Sequence, residues 1–234
     1  MNLTRRQTLT GFSAAAVFLT AGQAFAGKGI GNVMARLTEP EFCASTATVA
    51  EGPFYIAGNI GRQDIREDRR GAPLCFHLRV VDADTCSPLP GLRMDIWHAD
   101  ASGCFSGFQA QGDERTLSTV GETFLRGTQH TDANGRVTFT TIYPGWYSGR
   151  TPHIHLKAFF NHKKAFARQV YFPDELSDTV YSQITPYSHR GRRRDTTNNQ
   201  DPILRSSRGG RRNICSVERN DGHYLAAATI SLSP

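Results

Sequence analysis

The chain has no apolar run long enough to cross a bilayer; its longest, from Phe12 to Ala21, falls well short of a membrane span. It has no internal repeat and no linker-like break, so the mature part reads as one well-buried domain. It has five cysteines, Cys43, Cys75, Cys86, Cys104 and Cys215, and none stand in C-x-x-C spacing. That argues against a cysteine-based zinc site. It has no H-E-x-x-H and no positioned glutamate base, which argues against a zinc hydrolase. Arg190 to Arg194, with Arg205, Arg208, Arg211 and Arg212, lack the interleaved aromatics that a nucleic-acid groove needs. This basic stretch reads as a solvated loop, and so does the charged segment Gly61 to Gly71.

The N-terminus carries a targeting pattern. Arg5-Arg6 precede the apolar run, and Ala24-Phe25-Ala26 closes it as an A-x-A cleavage site. The paired arginines match a twin-arginine export signal over residues 1–26, leaving a domain over 27–234 and a periplasmic destination. Without Arg5 and Arg6 the formal charge of +6 falls to about +4, mildly basic, which favours small anions slightly and demands no nucleic acid. In an oxidising compartment the cysteines predict one or two disulfides and one leftover thiol.

The mature chain reads mostly as strands. Leu74, Phe76, Leu78 and Val80 alternate with Cys75, His77 and Arg79, and Leu92, Met94 and Ile96 alternate with Arg93, Asp95 and Trp97. Asp132-Ala133-Asn134-Gly135 carries a hairpin signal before Val137, Phe139 and Thr141. Arg168 to Phe172 and His223 to Leu232 add strands, and Asp174 to Ile184 predicts one short helix capped by Asp174. Short strands between turns, with few helix patterns, predict an all-β sandwich of mostly antiparallel strands.

One stretch carries chemistry. His153 and His155 lie two apart, so on a strand both imidazoles face one way, while Ile154, Leu156, Ala158 and Phe160 take the other face. Tyr147 and Arg150 stand just upstream. Imidazoles with a phenolate suit a ferric ion, although imidazole alone equally suits zinc or copper. The alternative is an edge strand whose histidines merely face solvent.

Five segments, in order, resemble the intradiol ring-cleavage dioxygenases, the family of catechol 1,2-dioxygenase and protocatechuate 3,4-dioxygenase. They are Glu51-Gly52-Pro53-Phe54-Tyr55; Val81-Asp82 and Pro88-Leu89-Pro90-Gly91 with Asp95-Ile96-Trp97-His98-Ala99-Asp100; Phe124-Leu125-Arg126-Gly127 with Thr131-Asp132 and Gly135; Pro144-Gly145-Trp146-Tyr147 with Arg150 and His153-Ile154-His155; and Arg168-Gln169-Val170-Tyr171-Phe172. The resemblance covers about residues 48 to 173 and is nearest to the exported, single-domain members.

The resemblance implies a mononuclear non-haem Fe(III), with Tyr147, His153 and His155 as metal ligands. It implies Arg150 beside a bound catechol-type substrate, stabilising charge on its ring, and Gln169 in or behind the substrate pocket. The family's catechol binds as a dianion, its axial tyrosinate helps take up a proton, and O₂ attacks the activated ring to give a cis,cis-muconic type acid. Here the axial tyrosine's G-x-Y-S context reads Gly103-Cys104-Phe105-Ser106, and Phe105 can neither ligate nor accept a proton. Cys104 should face away from the site, and Tyr143 reads as structural. The enzyme reading therefore stands beside that of a non-catalytic exported module binding an aromatic ligand or a metal. A carboxylated substrate would need a cation beyond Arg150, and the sequence identifies none.

Overall fold

In a computed structural model of the chain, residues 49, 51–160, 164–207 and 210–233 are described. The alternating segments become strands: β1 (Pro73–Asp82), β2 (Arg93–Trp97), β3 (Arg126–His130), β4 (Arg136–Ile142), β5 (His153–Phe160), β6 (Lys164–Tyr171), β7 (Ser216–Asn220) and β8 (His223–Leu232). Two short helices, α1 (Asp174–Gln183) and α2 (Pro202–Ser206), lie between β6 and β7. One sheet runs β4-β1-β8-β7 and the other β3-β2-β5-β6. Among these pairs only β1–β8 is parallel. The predicted all-β sandwich is the observed architecture.

The core follows from the alternation. Leu74, Phe76, Leu78 and Val80 of β1 share it with Met94 and Ile96 of β2 and with Ile154, Leu156 and Ala158 of β5. Full burial of such side chains stabilises by about 1.5–3 kcal/mol each. β5 lies between β2 and β6, so it is no edge strand, and its opposite face is covered by aromatic side chains that bury His153 and His155.

Four sequence expectations are corrected. The Asn134-Gly135 turn forms, with the Asp132 carboxylate accepting from Asn134 N and Arg136 N, but it joins β3 to β4 in different sheets and makes no hairpin. A turn signal specifies local reversal only; which sheet each arm joins is decided by the core. Asp174 does not cap α1; its carboxylate accepts from Arg194 and from the Asn198 amide, and Pro173 occupies the cap position. Cys75, Cys104 and Cys215 are free and Cys86 is disulfide-bonded, so three thiols remain rather than one. The basic stretch is no simple solvated loop. The side chains of Arg190 and Arg194 are only 8% and 5% exposed, and both are hydrogen-bonded to the segment around Tyr147 or to α1. Guanidinium forks match carbonyl and carboxylate pairs, and a charge run in sequence does not reveal such partners. Arg192 and Arg193 are exposed, as expected. The 1–26 export signal lies outside the described residues, among which no helix is long and apolar enough to cross a membrane.

His98, just past β2, is fully enclosed. Its Nδ1–H donates to the Ala99 carbonyl at 2.8 Å, and Nε2 accepts from the Thr141 hydroxyl at 2.7 Å. Burial holds its pKa down, at about 4. The unfolded chain therefore binds a proton that the folded one refuses between about pH 6.5 and 4. The contribution is complete above about pH 6.5 and is lost as pH falls toward 4, amounting to about 3 kcal/mol. Guanidinium denaturation of the metal-free protein at pH 7 and pH 4.5 should show this loss, and His98→Gln should make the decline shallower.

Candidate metal centre and active site

The segment from Pro144 to Thr151 leads from β4 into β5 and carries the first ligand candidate. At Gly145 a side chain would collide with the Asp100 carbonyl, and the Gly145 amide donates to the Ala99 carbonyl at 3.3 Å. This close approach pins the segment against the loop that presents Phe105. Tyr147 to Arg150 then forms a tight turn: Arg150 N donates to Tyr147 O at 3.0 Å, and Gly149 has φ +79°, the left-handed value a type II turn needs. The turn sets both side chains side by side, and Arg150 Nη1 donates to the Tyr147 hydroxyl at 3.2 Å.

β5 supplies the other two donors. His153 and His155 are 2% and 1% exposed. Their Nε2 atoms lie 3.0 Å apart, and the Tyr147 hydroxyl is 3.3 Å from His153 Nε2. Burial, then Arg150 for His153 and His153 for His155, holds both imidazoles well below their ordinary pKa. They are neutral, as ligands must be. His153 Nδ1 lies 2.7 Å from the Thr151 carbonyl, which can only accept, so its proton is there and Nε2 offers a lone pair. His155 Nδ1 is buried with no hydrogen-bond partner among the described residues. Two neutral imidazoles facing each other through Nε2 leave either repelling lone pairs or an unsatisfied ring nitrogen. A cation between the nitrogens removes that conflict, so the donor set fits a metal ion. Burial raises the Tyr147 phenol while Arg150 lowers it, and a bound cation would add to the lowering. Among the described residues no group of three or more His, Cys, Asp and Glu side chains could hold a metal; here the third donor is a phenol.

Around the donors the walls are aromatic. Trp97 stacks on His155 with ring centroids 4.9 Å apart, and Tyr55 packs on Trp97. Phe105 stacks on Phe54 at 4.2 Å, and its ring lies 5.4 Å from Tyr147 and 5.8 Å from His155. Each such pair adds about 0.5–1.5 kcal/mol beyond area burial. On the other flank Gln169, opposite His155 in the ladder, accepts from Arg150 Nη2 at 2.5 Å and from the Tyr171 hydroxyl at 2.6 Å.

Every predicted site residue, Tyr147, Arg150, His153, His155 and Gln169, enters this one cluster. Cys104 lies buried beside Asp100 and Gly112, its thiol pushed up by burial to about 11, and no contact joins it to Tyr147, His153 or His155 among the described residues. Tyr143 is buried in the main core and bonded to Ser177, as expected of a structural residue. Sequence reasoning passed over Tyr171, Thr151 and Asp201. Tyr171 was visible as the residue two beyond Gln169 on β6, hence on the same face. Asp201 reaches Arg150 across 51 positions, and no local pattern signals that.

A family model described as dioxygenase matches residues 50–187. Catechol 1,2-dioxygenase of Acinetobacter baylyi is 34% identical over 108 residues, covering 44% of this chain. The match spans 32% of that relative's length, about a third. The solved intradiol ring-cleavage dioxygenase from Tetranychus urticae is 33% identical, with a TM-score of 0.74 over 82% of this chain and 96% of that one. A dioxygenase domain from Streptomyces sp. SirexAA-E, part of a fusion with a carbohydrate-binding protein, is 25% identical, with a TM-score of 0.57 over 80% of this chain and 97% of that one. With the family model spanning more than half the chain and these folds matching its sandwich, the chain belongs to the intradiol ring-cleavage dioxygenase family.

Proposed function

We propose that this chain opens the ring of a catechol-type diol between its two hydroxyl-bearing carbons, using iron(III) and O₂, to give a cis,cis-muconate-type dicarboxylic acid. One observation carries the reading: Tyr147, His153 and His155 converge within 3.3 Å, with the Arg150 guanidinium alongside. Held by these three side chains, iron(III) would act as a Lewis acid that promotes loss of the diol's protons, and the resulting diolate ring is electron-rich toward O₂. Arg150 cannot lose its proton at working pH, so it supplies a fixed positive charge for the ring. Gln169 and Tyr171 hold that guanidinium on one side. Phe54, Phe105 and Phe108 form a wall that keeps water from the ring.

The position of Phe105, against the rings of Tyr147 and His155, supports its alignment with the family's axial tyrosine. This chain then has no phenol there to receive a proton from the incoming diol, and the proton leaves more slowly. Turnover is therefore lower than with a tyrosine. The same residue favours the second reading, an exported module that binds an aromatic ligand or a metal without turnover. Export is supported by Arg5-Arg6 and the Ala24-Phe25-Ala26 site, and by the disulfide at Cys86.

Charge bears on the substrate. The cations against the aromatic cluster are Lys157, over Tyr55 and paired with Glu51, Arg150, paired with Asp201, and Arg126, which is committed to Ser106 and the Phe54 carbonyl. All three are already partnered, so uncharged catechols are favoured over carboxylated ones.

The test is an absorption spectrum of the purified protein with iron quantified, before and after catechol under air. The expected result is a ferric–phenolate band that shifts on catechol addition, then muconate absorbance, with kcat/KM for catechol at least ~100-fold above protocatechuate because an unpaired buried carboxylate is costly. A protein that takes up no iron, or binds catechol without consuming O₂, would leave the binding-module reading.

A further inference from the structure

The segment 190–201 lies beyond the residues matched by the family model, yet it is fastened to the ligand loop at every turn. Arg190 donates to the Trp146 carbonyl at 2.6 Å. Asp195 accepts from the Ser148 hydroxyl and the Gly149 amide. Asn198 accepts from the Thr151 hydroxyl at 2.9 Å. Asp201 completes the set from a fully enclosed position, with its side chain 0% exposed. Its Oδ2 accepts from Arg150 Nε at 2.8 Å and from the Thr151 amide at 3.1 Å. Its Oδ1 accepts from the Ile203 and Leu204 amides at the start of α2.

We propose that Asp201 is a positioning residue that aims the Arg150 guanidinium at the diol site and, through Thr151, holds His153 in its ligand tautomer. The proposal rests on the reading of Arg150 as the cation beside the substrate. The geometry is two-armed. Oδ1 is tied to α2, so the carboxylate cannot swing. Oδ2 therefore fixes Arg150 at Nε, and the two Nη groups are left to face Tyr147, Gln169 and Tyr171. The Thr151 amide held by Asp201 belongs to the residue whose carbonyl receives the His153 Nδ1 proton. One carboxylate thus orders both the fixed cation and one metal ligand.

The role is separable from simple helix capping. Asp201→Asn keeps a side-chain oxygen for the α2 amides, since asparagine caps as well as aspartate, but it removes the charge that holds Arg150. The expected result is a fall in kcat/KM for catechol of about 30-fold, the scale of losing a residue that orients a ligand. In an Arg150→Ala background the same change should cost clearly less, because one of its two targets is gone and only the Thr151 arm remains to be lost. In the metal-free protein, the ¹⁵N–¹H resonance of Arg150 Nε, identified by its disappearance in Arg150→Ala, should exchange slowly. In Asp201→Asn it should move to the position of a free arginine. An equal loss in both backgrounds, or an unchanged Nε resonance, overturns the proposal. A wild-type protein without turnover would sink the dioxygenase reading alone, and the Nε resonance would still decide the role of Asp201.

Discussion

Tyr147→Phe should remove the ferric–phenolate band and lower kcat/KM for catechol by about 10³-fold, equivalent to about 4 kcal/mol of transition-state stabilisation. Among the described residues, Tyr147 is the one phenol within hydrogen-bond distance of both a candidate histidine ligand and Arg150. Phenylalanine keeps the ring and its edge contacts with Phe54 and Phe105 and removes only the oxygen. Fold and aromatic packing should therefore survive, so the effect reads the donor atom. The loss should exceed the 10–100-fold typical of a residue that merely orients a ligand. On the proposed reading, in which Phe105 stands where the family has its axial phenol, no second oxygen ligand stands in reserve. Absorption spectra, iron stoichiometry and steady-state O₂ uptake measure the three consequences separately. Retention of the band and of turnover would show that Tyr147 is no ligand.

The change in the opposite direction is Phe105→Tyr. It should raise kcat/KM for catechol by about 10²-fold, the lower end of what a positioned proton acceptor contributes. The Phe105 ring is 1% exposed and stacked on Phe54, so a hydroxyl added to it enters a closed aromatic cluster beside Tyr147 and His155. An uncompensated hydroxyl there would cost stability by about 1–3 kcal/mol, whereas one that finds the metal or the diol proton would not. Stability and rate thus test the same placement: a faster enzyme with little loss of Tm places the new oxygen on the diol or the iron. A destabilised variant with unchanged kcat/KM would mean that the ring at 105 does not address the reacting centre.

Some of this protein was determined by sequence alone, for a physical reason particular to strands. A period of two fixes which side chains share a face, so Leu74 to Val80 and Met94 and Ile96 declare the core, and His153 and His155 declare a common direction, without knowledge of any partner. The Tyr147–Arg150 turn is also local, with Gly149 taking the left-handed backbone at low cost, but strand periodicity did not disclose it. Local periodicity carries no information about what lies opposite. That the turn at Asn134-Gly135 crosses between sheets was decided by which core each strand could enter. That the arginines at 190 and 194 are enclosed was decided by carbonyls and carboxylates 16 to 77 positions away. Asp201 is the sharpest case. In the chain it is an ordinary helix cap before Pro202, and only folding brings its second oxygen to Arg150 and Thr151. The sequence determined the candidate donor atoms of the site, and the tertiary structure decided what holds them in place.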